Sequence, residues 1–375
     1  MSDSESAGIV RSLAPIRRPV LRLALVTLGD QNQQTGGHRY HRRMARAAPG
    51  YGAEIRFCSI PDRSWPLPIA TAARAFRAAS ERSDAIVLDS LAAASMAPWI
   101  ARSPVPVIAV LHQAPGSVGH GWIRSLSQGA LDRLAYRQAG GFIAAGQSLV
   151  DTLRGLGVPD DRIRFVPPGC DVPFDGGPPL DLRQGRDVAV LCVANWTPNK
   201  GIVELLDAFA SLPDAAATLW LVGAIDVDRA YAERVRRRIA APDLSDRVVA
   251  RGALPFEEVG RMYRSADVFA LCSFVDAYGT AWAEAISAGL PVVGWRTANL
   301  PRLAEDGREA LMPQPGDHRG LASALQAITS DTGLRERLSA GARRRAGTLP
   351  TWGDSEELFF SGVHELLATM PTLDG

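Results

Sequence analysis

Short apolar runs alternate with helical patterns in two successive series, and one Pro- and Gly-dense break separates them; this feature constrains the fold most. In the first series, residues 21–28 (LRLALVTL), 54–60, 85–89, 105–111 and 141–145 read as strands. Their near-continuous apolar character suits strands buried on both faces of a parallel sheet. Between them, residues 38–48, the stretch LAAASMAPWIARS, residues 126–139 and residues 149–156 carry helical patterning, the last closed by Gly157 with Pro159 beyond. A loop over 29–37 joins the first strand to the first helix. Residues 167–186 (PPGCDVPFDGGPPLDLRQGR) break the rhythm as an interdomain connection does. A second series follows, with strands at 188–193, 217–222, 248–251, 268–271 and 291–294, and helices at 200–212, 229–240, 256–265, 280–288 and from 319 onward. The expected fold class is α/β, with two Rossmann-like, doubly wound parallel-sheet domains. Their ligand sites belong at the carboxyl ends of the strands, in a cleft between the lobes.

Composition narrows the function classes. With 46% hydrophobic and 22% charged residues the chain suits a packed globular protein and excludes disorder. No run approaches the ~20 apolar residues of a membrane span, and the first twenty residues lack a signal peptide's apolar core, so a cytoplasmic protein is expected. Cys58, Cys170, Cys192 and Cys272 lie far apart without a CxxC pair, which argues against a disulfide framework and a structural zinc site. Neither GxGxxG after a strand, GxxxxGK[ST] nor GxSxG occurs, which argues against dinucleotide enzymes, P-loop NTPases and serine hydrolases. Nucleic acid is not an expected partner, because no dense basic run carries interleaved aromatics.

The net charge of +1 conceals an asymmetry. Residues 1–170 hold 20 Arg against 12 Asp and Glu, whereas residues 171–375 hold 21 Lys and Arg against 28. Lys200 is the one lysine in the chain, beside 40 arginines. It opens the 200–212 helix directly after a strand, and a cation at a helix N-terminus is misplaced unless an anion sits beside it. A solvated loop lysine is the plainer alternative. In the second series Asp276 falls in the loop after a strand, Gly279 permits close backbone approach, and Thr280 is placed to cap the next helix. Glu284 lies one turn into that helix among alanines and so should be buried. An acceptor-only carboxylate there needs donors, which either a ribose diol or a buried arginine can supply.

The ordered motifs VLCVANWTPNKGIVELLDAF, RGALPFEEVGRMYRSADVFALCSFVDAYGTAWAEAISAGLPVV and EDGREALMPQPGD, preceded by FVPPGCD, resemble the C-terminal domain of retaining glycosyltransferases of family 4, the glycosyl transferases group 1, which have the GT-B fold. The resemblance spans roughly residues 160–330. TGGHRYHRRM and VIAVLHQAP resemble the N-terminal half more loosely. It implies an N-terminal acceptor-side domain (1–170), a nucleotide-sugar donor domain (171–350) and a C-terminal helix (351–375) returning to brace the first lobe. It also implies that Lys200 binds the donor pyrophosphate, that Glu284 takes the ribose hydroxyls, and that the amides of Tyr278, Gly279 and Thr280 face the phosphates and sugar. Asp276 and His112 would lie near the donor sugar, Gly36 and Gly37 would cover the phosphates, and Gly252 and Leu254 would lie near the nucleobase.

Five positions depart from the pattern. Asn195 stands where arginine normally pairs with the lysine, Asp276 is a methylene shorter than the usual glutamate, Arg302 replaces a frequent glutamate, and Ala298-Asn299 replaces Gly-Gly. The expected activity is transfer of a sugar from a UDP- or GDP-sugar to a hydroxyl-bearing acceptor (glycan, lipid or small molecule) with no metal or other cofactor. A nucleotide-sugar epimerase or hydrolase and a non-catalytic nucleotide-sugar-binding scaffold are the alternatives. Asp226-Val227-Asp228 has a D-x-D form but is expected to cap a helix. His38 is a candidate acceptor contact, with packing as the plainer role. Arg42, Arg43, Arg46, Arg124, Arg133 and Arg137 raise an anionic or membrane-associated acceptor and peripheral association at the inner membrane face, against scattered solvated arginines.

Overall fold

The computed structural model describes residues 20–32, 36–61, 69–116, 122–172 and 177–370. Nearly all of the segment read as lacking an apolar leader, parts of the 29–37 loop and of the 167–186 break, and the side chain of Arg124 lie outside the described residues. The first lobe runs β1 (Leu21–Leu28), α1 (Gly36–Ala47), β2 (Ala53–Ile60), α2 (Ile69–Ser80), β3 (Ala85–Asp89), α3 (Ala93–Met96), β4 (Val107–Leu111), α4 (Trp122–Gln138), β5 (Gly141–Ala144), α5 (Gln147–Gly155) and β6 (Ile163–Phe165). The second runs β7 (Val188–Val193), α6 (Ile202–Ala210), β8 (Ala217–Val222), α7 (Arg229–Ile239), β9 (Val248–Gly252), α8 (Phe256–Ser265), β10 (Val268–Ala270), α9 (Thr280–Ser287), β11 (Val292–Val293), α10 (Leu300–Leu303), β12 (Ala310–Leu311), α11 (His318–Ser330) and α12 (Thr332–Ala346). The chain then ends in α13 (Trp352–Thr369).

Both sheets are six-stranded, with parallel pairing throughout, in the orders β2-β1-β3-β4-β5-β6 and β12-β11-β10-β7-β8-β9. Each order reverses direction once, between β1 and β3 in the first sheet and between β7 and β10 in the second. At such a reversal adjacent connections leave on opposite faces and open a crevice at the carboxyl ends of the strands.

Side-chain alternation explains the layers. Along β1, Ala24 and Val26 face one core with Ile86 and Leu88 of β3, while Leu23 and Leu25 face the other with Val87. That second face is closed by α1 and by α13, whose Phe359, Phe360, Val363 and Leu366 are buried against it. Helix α13 begins with a capping box between Thr351 and Asp354, and Ser355 donates to the Pro167 carbonyl at 2.6 Å, so the last helix is pinned to the first lobe.

The structure differs from the sequence expectation in three instructive places. Strand β6 is too short to register as a run, and α2 was not anticipated. The helix expected to open at Lys200 starts at Ile202 instead. Pro198–Lys200 form a single 3-10 turn, and Gly201 follows in the left-handed region at φ 63. A side chain at Gly201 would place its Cβ 2.2 Å from the Cys272 carbonyl oxygen, so close backbone contact, not helical propensity, sets this boundary.

Candidate active site

The two crevices open into one cavity of about 320 Å³, lined from the first lobe by residues of α1 and the loop after β4, and from the second by the loops after β7, β8, β9 and β10. Four ionised side chains of the described residues line it: Arg39, Lys200, Asp276 and Glu284.

On the second-lobe side, Lys200 Nζ meets Asp276 Oδ2 at 2.7 Å, both side chains about one-fifth exposed. The anion beside the lysine is thus a carboxylate of the protein itself, and the helix-terminus argument that singled out Lys200 does not apply to a residue outside α6. Asp276 Oδ1 accepts from the Gly279 N–H at 2.6 Å. Thr280 is not the cap that was expected. Gly279, at φ 85, takes the N-cap position of α9 with no side-chain acceptor, because the left-handed turn delivers Thr280 already as the first helical residue. Asn195 Oδ1 accepts from the Ala224 N–H at 3.0 Å, tying the ends of β7 and β8 together. Leu254, Tyr278 and Thr280 line the cavity, whereas Gly252 and Gly279 do not. The Gly252 carbonyl accepts from Gly223, and the Cβ direction of Gly279 points into Trp282.

Glu284 is 3% exposed. Its Oε2 accepts from the Tyr263 hydroxyl at 3.1 Å, and its Oε1 is ion-paired with Arg39 from the opposite lobe. Of the two donors expected for this carboxylate, the arginine is the one in place here.

The first-lobe wall is built differently. Gly36 and Gly37 form the first turn of α1 instead of a covering loop, with Gly37 against the His112 ring. His112 follows β4 and packs edge-on to Tyr40 and His41, with ring centroids 4.9 and 4.8 Å away. Burial, reinforced by the neighbouring His41, pushes the His112 pKa down to about 3, so the ring is neutral. His41 Nε2 lies 3.3 Å from Asp89 Oδ2, and Asp89 also accepts from the Thr27 hydroxyl at 2.6 Å and the Leu91 amide at 3.1 Å. Burial alone would raise the Asp89 pKa, but the His41 interaction and these donors hold it below the ordinary carboxylate range. The donor atoms of His41, Asp89 and His112 lie within 4.8 Å of one another. A tetrahedral metal with bonds near 2.1 Å brings its ligand atoms to about 3.4 Å, so this cluster is looser than a closed metal site. His38 does not line the cavity. It is 1% exposed and its Nε2 sits 3.1 Å from the Leu28 carbonyl, the packing role. Asp228 caps α7 by accepting from the Tyr231 amide, as expected of the D-x-D segment.

Sequence reasoning missed Arg39 and Asp89, while His41, placed near the cleft by its position on the first helix, takes the packing role beside His112 and Asp89. Arg39 was one arginine among forty. Asp89, by contrast, ends an otherwise apolar strand at a carboxyl end, a signal that was open to reading. The lobes also meet where Gly146 passes the Ala277 carbonyl, to which Ser148 Oγ donates at 3.3 Å, and where Arg302 pairs with Asp151 at 3.2 Å.

Comparison with known families matches both lobes. Residues 8–169 match the glycosyl transferase 4-like domain and residues 182–345 match glycosyl transferases group 1. The chain belongs to the group 1, family 4-type glycosyltransferases. It is 28% identical over 257 residues to the mannosylfructose-phosphate synthase of Agrobacterium fabrum, covering 64% of this chain and 56% of that enzyme; the chain therefore spans little more than half of that relative. Among solved structures, the sucrose-phosphate synthase of Thermosynechococcus elongatus superposes with a TM-score of 0.78 at 20% identity, over 93% of this chain and 100% of the other. HepE from Anabaena, in complex with UDP and glucose, superposes with a TM-score of 0.75 at 18% identity, over the same shares. These likenesses give the family member its GT-B fold: two doubly wound lobes facing a cleft.

Proposed function

We propose that the protein transfers a sugar from a nucleoside diphosphate sugar, with UDP or GDP as the carrier, to a hydroxyl-bearing acceptor with retention of anomeric configuration. The observation that carries this reading is the cavity at the two facing sheet reversals, where Lys200 and the N-terminus of α9, whose Gly279 amide is held by Asp276, share a wall with Glu284. A diphosphate fits the lysine and the amides, and a ribose diol fits the carboxylate. The UDP held by HepE supports the donor class.

In the reaction the bond from the sugar's anomeric carbon to the β-phosphate oxygen breaks. The acceptor oxygen bonds to that carbon on the same face, and its proton passes to the departing phosphate. The residues' part is to hold the diphosphate and stabilise its developing charge, chiefly through Lys200 and backbone amides. Neutral His112 presents a hydrogen-bonding edge without a charge that would compete for the phosphate. This chemistry calls for no divalent metal. The arginine excess of the first lobe and the phosphorylated products in the names of both synthases support an anionic acceptor, either a sugar phosphate or a lipid-linked one at the inner membrane face. Arg133 and Arg137 are exposed for this role, while Arg43 is engaged by Glu356 at 2.5 Å.

The test incubates the purified protein with UDP-, GDP- and ADP-sugars, with and without sugar phosphates or membrane lipid extracts. Nucleotide release, product mass and anomeric configuration by NMR are followed, with and without EDTA. Acceptor-dependent, EDTA-insensitive release with retention is expected. Sugar conversion without acceptor, or binding of donor without any turnover, overturns the reading.

A further inference from the structure

Arg39 is the residue the sequence did not single out and the cavity does. It lies in the first turns of α1, yet its guanidinium leaves its own lobe, pairs with buried Glu284 across the cleft and lies over the Phe256 ring, 4.1 Å from its centroid. Its Nε–H is buried and unpartnered. An unused charged donor inside a polar cavity carries a desolvation cost that a ligand can relieve.

Charge at the second-lobe wall gives that donor a task. Lys200 is already neutralised by Asp276 at 2.7 Å, and Glu284 adds a further negative charge, so the wall facing a diphosphate is net negative. Asn195 contributes no charge and its side chain is engaged by Ala224. The remaining ionised group lining the cavity, among the described residues, is Arg39.

From these positions we infer that Arg39 exchanges partners during the cycle. In the empty cleft it satisfies Glu284. When a nucleotide's ribose hydroxyls donate to Glu284, the guanidinium turns to the diphosphate and supplies, from the opposite lobe, the second cation that Asn195 does not. The exchange keeps Glu284 hydrogen-bonded in both states and never strands a buried carboxylate. It also ties the first lobe to the donor only when the whole nucleotide is present. This inference rests on the nucleotide-sugar reading above.

Calorimetric titrations with UDP, GDP and the matching nucleosides test it in the unaltered protein, in Arg39→Gln, in Arg39→Lys, and in Arg39→Gln combined with Asn195→Arg, each checked by thermal melting. Loss of a charged hydrogen bond predicts diphosphate binding weaker by roughly ten- to a hundredfold in Arg39→Gln. Nucleoside binding should be unchanged or tighter, Arg39→Lys should recover part of the loss, and Asn195→Arg should restore it. Equal or tighter diphosphate binding in Arg39→Gln would make Arg39 a mere competitor of the ribose and overturns the inference. Equal losses for diphosphate and nucleoside assign a structural role and overturn it too. If the unaltered protein binds neither diphosphate, the nucleotide reading fails and this inference with it.

Discussion

The two walls of the cavity solve opposite problems. On the first-lobe side, His112 lines the cavity, backed by buried His41 and Asp89 among aromatic rings and hydroxyl donors, and burial and neighbours fix the protonation states of His112 and Asp89. On the second-lobe side, Lys200, Asp276 and Glu284 form ion pairs that a substrate can share or replace, and those of Lys200 and Asp276 remain partly exposed. The first wall is therefore a shaped surface of constant charge, and the second is where the charge of a ligand is met. Arg39 is the exception that belongs to the first wall by sequence and to the second by contact.

Lys200→Ala puts the largest strain on this contrast. If the second wall carries charge stabilisation, kcat/KM should fall by about a hundred- to a thousandfold, with the melting temperature little changed because the lysine is partly solvated. Steady-state kinetics beside a thermal melt would show it. Lys200→Arg should also impair turnover, since a planar fork cannot occupy the point-charge position 2.7 Å from Asp276 without displacing it. A loss as large in His112→Gln would erase the distinction between the walls.

Gly146→Ala tests whether the walls must be held in register. An added Cβ would lie 2.1 Å from the Ala277 carbonyl oxygen of the other lobe, so the lobes must separate locally, next to Asp276 and Tyr278. A displacement of this order can cost up to about a hundredfold in rate, and a roughly tenfold loss is expected here. Each isolated lobe keeps its core, so the unfolding midpoint should hold while turnover drops. Unchanged kinetics would mean that the contact does not set the cleft.

Legibility in the sequence followed the same division. Helix α8 was expected at the residues where it forms, because Pro255 precedes a clean amphipathic pattern and Ala266-Asp267 ends it before β10. Lys200, Asp276 and Glu284 could be grouped because ordered motifs carry them, and the cavity does bring them together. The Lys200 helix start could not be read, since it depends on the Cys272 carbonyl, 71 residues away in sequence, crowding Gly201. Nor could the partner of Glu284. An arginine 245 residues earlier reaches it only after both sheets have folded and docked, and no local pattern distinguishes Arg39 from its thirty-nine counterparts. His38 illustrates the reverse case: a histidine near the cleft in sequence is spent on the Leu28 carbonyl inside the lobe.

The smallest effect expected concerns stability, and it distinguishes the walls by pH. The His112 pKa of about 3 in the folded protein lies far below the 6.5 of an unfolded histidine, so the unfolded chain takes up a proton the native ring refuses. Stability is then fully present above pH 6.5 and is lost as pH falls toward 3. Asp132 works in the opposite sense. Burial raises its pKa to about 6, although the Gly116 amide donates to it at 3.0 Å, so its contribution is present below 3.8 and is lost as pH rises through about 6. Between pH 4 and 6 the two trends offset each other, and the unaltered protein should show a shallow dependence there. Urea midpoints across this window should rise toward acid in His112→Gln, which removes the acid-sensitive ring and leaves the Asp132 trend unopposed. They should fall more steeply toward acid in Asp132→Asn, which removes the opposing carboxyl. Asp89 titrates below this window and does not confuse the result, because its folded-state pKa is depressed and its contribution is lost only at pH values under 3.8. Identical slopes in the two variants would show that His112 is not held neutral by burial, and the contrast between a fixed wall and an exchangeable one would fall with it.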